Sequence, residues 1–313
     1  MSRFRKMFLR DRLNQTAQLA GFGKHPAWND HIDDIGLTTE TLVAVRRILY
    51  SEGIASQLSS GAWTRLEESG HALEFNHRFV WSREAQSVIG GIWASKDGKG
   101  RTHFPLIVCL QSGVNGWRAI RSFLEPLEEL GILCKIAKDQ RRLRDSFGDT
   151  QRRLTLNARG DSDGGQTRPS DLSAQQEHAA INGMLALSQR LGKCSKHGAR
   201  NVDKVLHFRL PAVSTRIQES LEFWAGYLET QFSPRFPYLT IASGGFGPVD
   251  VIAGEPGPND FFCLRATESC LPLTPVSSVD KHLADARLKA TVYWRSFGLG
   301  AIEFNGKESF GCW

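Results

Sequence analysis

The chain has 313 residues, 41% of them hydrophobic and 23% charged, with a formal net charge of +6. That length supports a sizeable core in one large or two modest domains, and the composition is that of an ordinary globular protein, which excludes disordered and fibrous classes. No apolar run approaches the roughly 18 residues of a membrane span, and the basic, amphipathic start lacks the apolar stretch and small-residue cleavage site of a secretory signal, so a cytoplasmic location is expected.

Residues 1–19 read as a basic N-terminal helix with Arg3, Arg5, Lys6, Arg10 and Arg12, suited at most to peripheral contact with a membrane surface or an acidic partner. Gly21-Phe22-Gly23-Lys24-His25-Pro26 follows. Its glycines can take positive φ and its proline fixes φ, so the stretch predicts a tight turn closing a strand, with Lys24 as an exposed charge. Trp28, Asn29, Asp30, His31, Asp33 and Asp34 come directly after. Residues 38–50 then have a capping threonine, an acidic first turn and apolar residues at helical spacing. Residues 72–81 and 87–95 read as strands, and Asp97-Gly98 is a turn. The run Phe104-Pro105-Leu106-Ile107-Val108-Cys109-Leu110 suits a strand buried on both faces, with Arg101 and His103 at its entrance. Three strands at such short spacing predict an antiparallel meander.

Residues 117–131 carry a helical apolar repeat that would cover one sheet face and continue after Pro126 into a basic helical stretch over 135–153. Residues 157–176 are polar and glycine-rich, a flexible linker or exposed loop. The second half predicts a helix over 176–191, a strand over 205–210, an aromatic-rich helix around Trp224 and Tyr227, a strand over 236–241, a turn at 244–248 and a short helix over 259–266. Val292-Tyr293-Trp294 and residues 301–306 suggest a terminal pair of strands. The expected organisation is an N-terminal helix (1–19), an α+β core (20–156), the linker (157–176), a second α/β segment packing on the core (177–275) and C-terminal strands (276–313). The fold class is α+β, a mainly antiparallel sheet packed by helices.

The positive charge concentrates in 135–153, but acids interrupt it and no nucleic-acid-binding motif accompanies it, so it reads as a solvated helix face with no nucleic-acid partner. Six cysteines without C-x-x-C spacing read as reduced thiols. Gly244, Gly245 and Gly247 precede a proline and do not open a helix as a nucleotide-binding loop would, and Ser243-Gly244-Gly245 lacks the nucleophile-elbow pattern. One cluster offers an enzymatic alternative: His25, Asp30, His31 and Asp33 are ligand types that could hold a divalent metal for hydrolysis, although without a recognised ligand spacing. The same residues serve equally as helix caps, packed histidines and solvated acids.

The paired segments Gly21–Asp30 and Gly98–Leu106 together resemble the TagF/ImpM family of accessory and regulatory proteins of type VI secretion systems. Members open on a glycine-aromatic-glycine-lysine-x-proline turn closely followed by an aspartate, and later carry glycine-arginine-x-x-phenylalanine-proline-leucine entering a buried strand. The second half is similar only at Phe236-Pro237-Tyr238-Leu239 and around Gly254–Phe262. Trp28-Asn29-Asp30-His31 departs from the family's usual arginine-glycine-aspartate-phenylalanine. The resemblance implies a TagF-like core with a longin-like fold, and a non-enzymatic protein without cofactor or metal. It also implies a protein partner in the secretion apparatus, an FHA-domain scaffold that the protein binds and sequesters post-translationally. On that reading Lys24, Pro26, Trp28, Asp30, Arg101 and His103 are the candidate partner-binding residues, displayed at turns.

Overall fold

The computed structural model describes residues 17–83, 86–157, 174–195, 204–232, 236–245, 247–276 and 283–297. Among these residues seven strands form one sheet: β1 (Gln18–Gly23), β2 (Asn76–Arg83), β3 (Gln86–Trp93), β4 (Leu106–Ser112), β5 (Leu206–Leu210), β6 (Tyr238–Ser243) and β7 (Val249–Ala253). Their spatial order is β1-β4-β3-β2-β6-β7-β5. Every pairing between these strands is antiparallel, and the architecture is α+β. The β2–β3–β4 meander is present, and β2 also pairs with β6, Phe79 opposite Ile241. Strands from both halves of the chain therefore form one continuous sheet.

Helices cover both faces. Alternation along β4 sends Val108 and Leu110 to one face and Ile107 and Cys109 to the other, so a strand buried at all seven positions has no polar alternation to show. On the first face lie α4 (Gly116–Ile136), with Ile120, Leu124 and Leu127 inward, and α7 (Ile217–Gln231), with Phe223 and Trp224. The second face is covered by a run of α1 (Glu40–Val45), a π-helical segment (Arg46–Ile54), α2 (Ala55–Ser59) and α3 (Ala62–Glu68), and by a 3₁₀ helix (Pro258–Leu264). The helix expected over 38–50 starts at Thr39, whose hydroxyl accepts from the Leu42 amide at 3.2 Å.

Several expectations are corrected. The apolar helix runs through Pro126, but it stops at Ile136, where Ala137 turns to extended backbone, and the basic stretch forms a separate α5 (Gln140–Asn157). Val292-Tyr293-Trp294 is not a strand but part of α8 (Leu283–Ser296), which lies beyond α6 (Ala174–Ser195) in the chain. The β-prone side chains there are overridden by helical spacing: Ala290, Tyr293, Trp294 and Phe297 form a buried stripe, and the last three ring Phe223. Residues 18–19, the end of the expected N-terminal helix, begin β1 instead. Residues 1–16 of that helix, linker residues 158–173 and the terminal residues 301–306 lie outside the described residues, while the two ends of the expected linker are helical instead, Asn157 closing α5 and residues 174–176 opening α6. Strand β7 was not anticipated from sequence.

Both sheet edges are occupied. Outside β1 the chain returns along 31–35, with the Gly21 amide donating to Ile35 O at 2.9 Å, the Ile35 amide donating to Gly21 O at 3.0 Å and the Ile32 amide donating to Gly23 O at 2.8 Å. Outside β5, the Arg209 amide donates to Thr274 Oγ1 and the Thr274 amide donates to Arg209 O, both at 2.8 Å. Among the described residues, no helix is long and apolar enough to cross a membrane.

Candidate functional site

The two sequence segments meet because β1 pairs with β4, Gly23 opposite Leu106. Gly23 has φ +110° and any Cβ there would lie 2.2 Å from Pro105 O, so only glycine lets β1 end this close to the entry of β4. The Lys24 amide then donates to Pro105 O at 3.0 Å, which turns the lysine side chain inward.

Lys24 is therefore buried, at 3% exposure, and the expected exposed charge is corrected. Its ammonium donates to Asp97 Oδ2 at 2.6 Å and to Asp30 Oδ1 at 3.1 Å. The Asp97 carboxylate is enclosed. Its Oδ2 also accepts from Arg101 Nε at 2.6 Å, and its Oδ1 accepts the backbone amides of Lys99 at 2.9 Å and Arg101 at 3.0 Å. Arg101 reaches on to Asn29 O at 2.9 Å and Asp30 Oδ1 at 3.1 Å. Two cations and two carboxylates thus close a network, and a buried ion pair is tolerated when its remaining hydrogen-bonding capacity is met in this way. Burial acts to raise the Asp97 pKa, but the hydrogen bonds from Lys24, Arg101 and Lys99 outweigh it and hold the carboxyl well below the usual range. The Lys24 hydrogen bond likewise lowers that of Asp30.

The network has an inner and an outer half. Lys24 and Asp97 are inside, whereas the side chains of Asp30 and Arg101 are 70% and 48% exposed. Pro26 and Asn29 are exposed beside them. Trp28 is buried, edge-on to the His25 ring, with its indole N–H donating to Asp33 Oδ2 at 3.3 Å. His103 is exposed and makes no hydrogen bond or ion pair with the network. Asp97 is the residue that sequence reasoning missed: it was visible as a turn former, but not as the counter-charge of Lys24.

The His25/Asp30/His31/Asp33 cluster does not gather around a common point. The His25 ring is buried, with Nε2 2.7 Å from Cys134 O and Nδ1 accepting the Ala27 amide at 3.1 Å, so both nitrogens are engaged. Burial lowers its pKa, against the raising effect of the Cys134 carbonyl. Asp33 faces Trp28 and Arg144, and His31 Nδ1 lies 3.1 Å from Asp30 Oδ1 while its ring packs edge-on to Tyr50 and Phe104. Partial burial lowers the His31 pKa, and the Lys24 charge adds to this. The set of three ligand side chains that does converge among the described residues is elsewhere: His207, Asp250 and Cys263.

A solved structure resembles part of the chain. It is PA0076 from Pseudomonas aeruginosa PAO1. The match has 17% identity and a TM-score of 0.31, and covers 45% of this chain and 76% of that one. No protein-family model matches the chain, and no curated protein matches it.

Proposed function

We propose that this chain is a non-enzymatic accessory protein of a type VI secretion system, of the TagF/ImpM kind, acting post-translationally in the cytoplasm by binding a protein component such as an FHA-domain scaffold. The observation that supports this reading is the convergence of both family-like segments on one ion network, with Lys24 and Asp97 as its buried foundation and Asp30, Asn29 and Arg101 as its exposed rim. A pre-paired carboxylate and guanidinium on a rigid turn form a geometry suited to reading a partner's charged side chains, because their own positions are fixed before contact. Pro26 keeps the adjoining turn stiff.

Co-purification from cells carrying an intact secretion locus tests the proposal. The wild-type chain is expected to recover a forkhead-associated-domain protein or another component of the apparatus, and Asp30→Ala is expected to reduce that recovery at least fivefold while leaving the melting temperature within a few degrees. Recovery of no such component, or recovery unaltered by Asp30→Ala and Asn29→Ala together, would overturn it.

A further inference from the structure

On the sheet face covered by the 3₁₀ helix, β5 and β7 bring together side chains from well-separated parts of the chain. Their register sets His207 opposite Ile252 and Arg209 opposite Asp250, which places all four on one face. The 3₁₀ helix crosses this face and buries Cys263. The ligand atoms of His207, Asp250 and Cys263 lie within 4.8 Å of one another.

We propose that His207, Asp250 and Cys263 form a zinc-binding site. One imidazole nitrogen, one carboxylate oxygen and one sulfur make a borderline-soft donor set of the kind zinc accepts, with a fourth position left for water. Zinc bonds of about 2.0 Å to nitrogen and 2.3 Å to sulfur give tetrahedral edges of roughly 3.3–3.8 Å, so separations of at most 4.8 Å need to close by up to about 1 Å, while the His207–Asp250 pair opens slightly. His207 is already turned towards its neighbour, with Nε2 2.9 Å from Asp250 Oδ1. Its side chain is 23% exposed while that of Asp250 is 5% exposed, so the ring forms the solvent side of the set and offers the route by which an ion enters.

Two neighbours shape the site. Arg209 Nε lies 3.4 Å from Asp250 Oδ1 without an aligned hydrogen bond, while its terminal nitrogens donate to the carbonyls of Thr267, Leu271 and Ala266. The guanidinium is thus anchored by backbone and does not need Asp250 to stay in place. The thiol of Cys263 points to Asp260 O at 3.2 Å. On binding, the thiol gives its proton to solvent, the resulting thiolate and the Asp250 carboxylate neutralise the dication, and His207 coordinates through Nε2 with its proton on Nδ1. Affinity therefore rises with pH, because a proton is displaced.

The test uses the full chain, reduced and stripped with a chelator, titrated with cobalt(II) as a spectroscopic substitute and then with zinc. One equivalent of cobalt is expected to give tetrahedral d–d bands and a thiolate-to-metal charge-transfer band, displaced by zinc, with about one proton released per zinc near neutral pH. Cys263→Ser should abolish the charge-transfer band, His207→Gln on the solvent side should weaken binding at least tenfold, and Cys270→Ser should leave both unchanged. The absence of a cobalt–thiolate band in the wild type would overturn the site, leaving the three residues as a polar setting for Arg209. A band that survives both Cys263→Ser and His207→Gln would overturn it equally. These readouts do not depend on the secretion role.

Discussion

Asp97 has no exposed side-chain surface and yet determines how an exposed patch is built, because Lys24 and Arg101 both end on its Oδ2. Lys24→Met removes one charged donor from a buried carboxylate that keeps Arg101 and two backbone amides, so it is expected to cost about 1.5–3 kcal/mol, the range for a hydrogen bond to a charged group. Combining Lys24→Met with Asp97→Leu should cost less than the sum of the two single changes. Urea denaturation of the four proteins in this cycle measures that coupling, and additive losses would show that the pair acts independently. His77 supplies a separate test. Its ring is fully buried, its Nε2 has no partner, and burial, with further contributions from Arg78, Arg209 and Arg265, pushes its pKa down to about 3. A lowered folded-state pKa means the unfolded chain binds the proton first. The stability linked to His77 is therefore complete above about pH 6.5 and drains away between there and about pH 3, with a slope of up to about 1.4 kcal/mol per pH unit. His77→Leu should flatten that slope in denaturation curves collected across the range; an unchanged slope would assign it to other groups. At this scale the sequence was only partly legible. Local chemistry marked Asp97-Gly98 as a turn, but the lysine that Asp97 neutralises is 73 residues away, and that pairing exists only once β1 lies against β4.

Elements were more legible than contacts wherever one period dominated. The Thr39 cap, the buried run of β4 and the apolar stripe of α4 all carried their own signals. Thr39→Ala should cost about 1 kcal/mol through the lost cap, readable as a fall in the urea midpoint at unchanged slope. Gly23→Ala should cost more than 1 kcal/mol, since the added methyl meets both a positive φ and the Pro105 carbonyl. If Gly23→Ala were no more disruptive than Thr39→Ala, the close approach of β1 and β4 would not be what requires glycine. The misreadings have one physical origin. Short apolar runs are ambiguous between strand and helix until their packing partner is known, and Tyr293 and Trp294 were resolved by Phe223, 70 and 71 residues earlier in the chain. Strand β7, five residues long and buried throughout, has the same ambiguity.

For the whole molecule, the pairing of β2 with β6 joins the two halves through a shared ladder from His77–Ser243 to Ser82–Tyr238. Cooperative unfolding follows: far-ultraviolet circular dichroism and tryptophan fluorescence should trace one coincident transition in urea, whereas two separated midpoints would mean the halves unfold independently. The covered sheet edges carry a further consequence. Many recognition proteins capture an extended peptide by letting it dock as one more strand, which requires a row of unclaimed backbone amides and carbonyls. Here the returning segment 31–35 already claims Gly21 and Gly23 on the flank of β1, and Thr274 claims both backbone groups of Arg209 on the flank of β5. A partner approaching either margin at these positions meets satisfied backbone, so discrimination there falls to side chains. On the proposed function, selectivity at the Asp30–Arg101 rim should accordingly follow the partner's side-chain charges and be insensitive to methylation of its main-chain nitrogens.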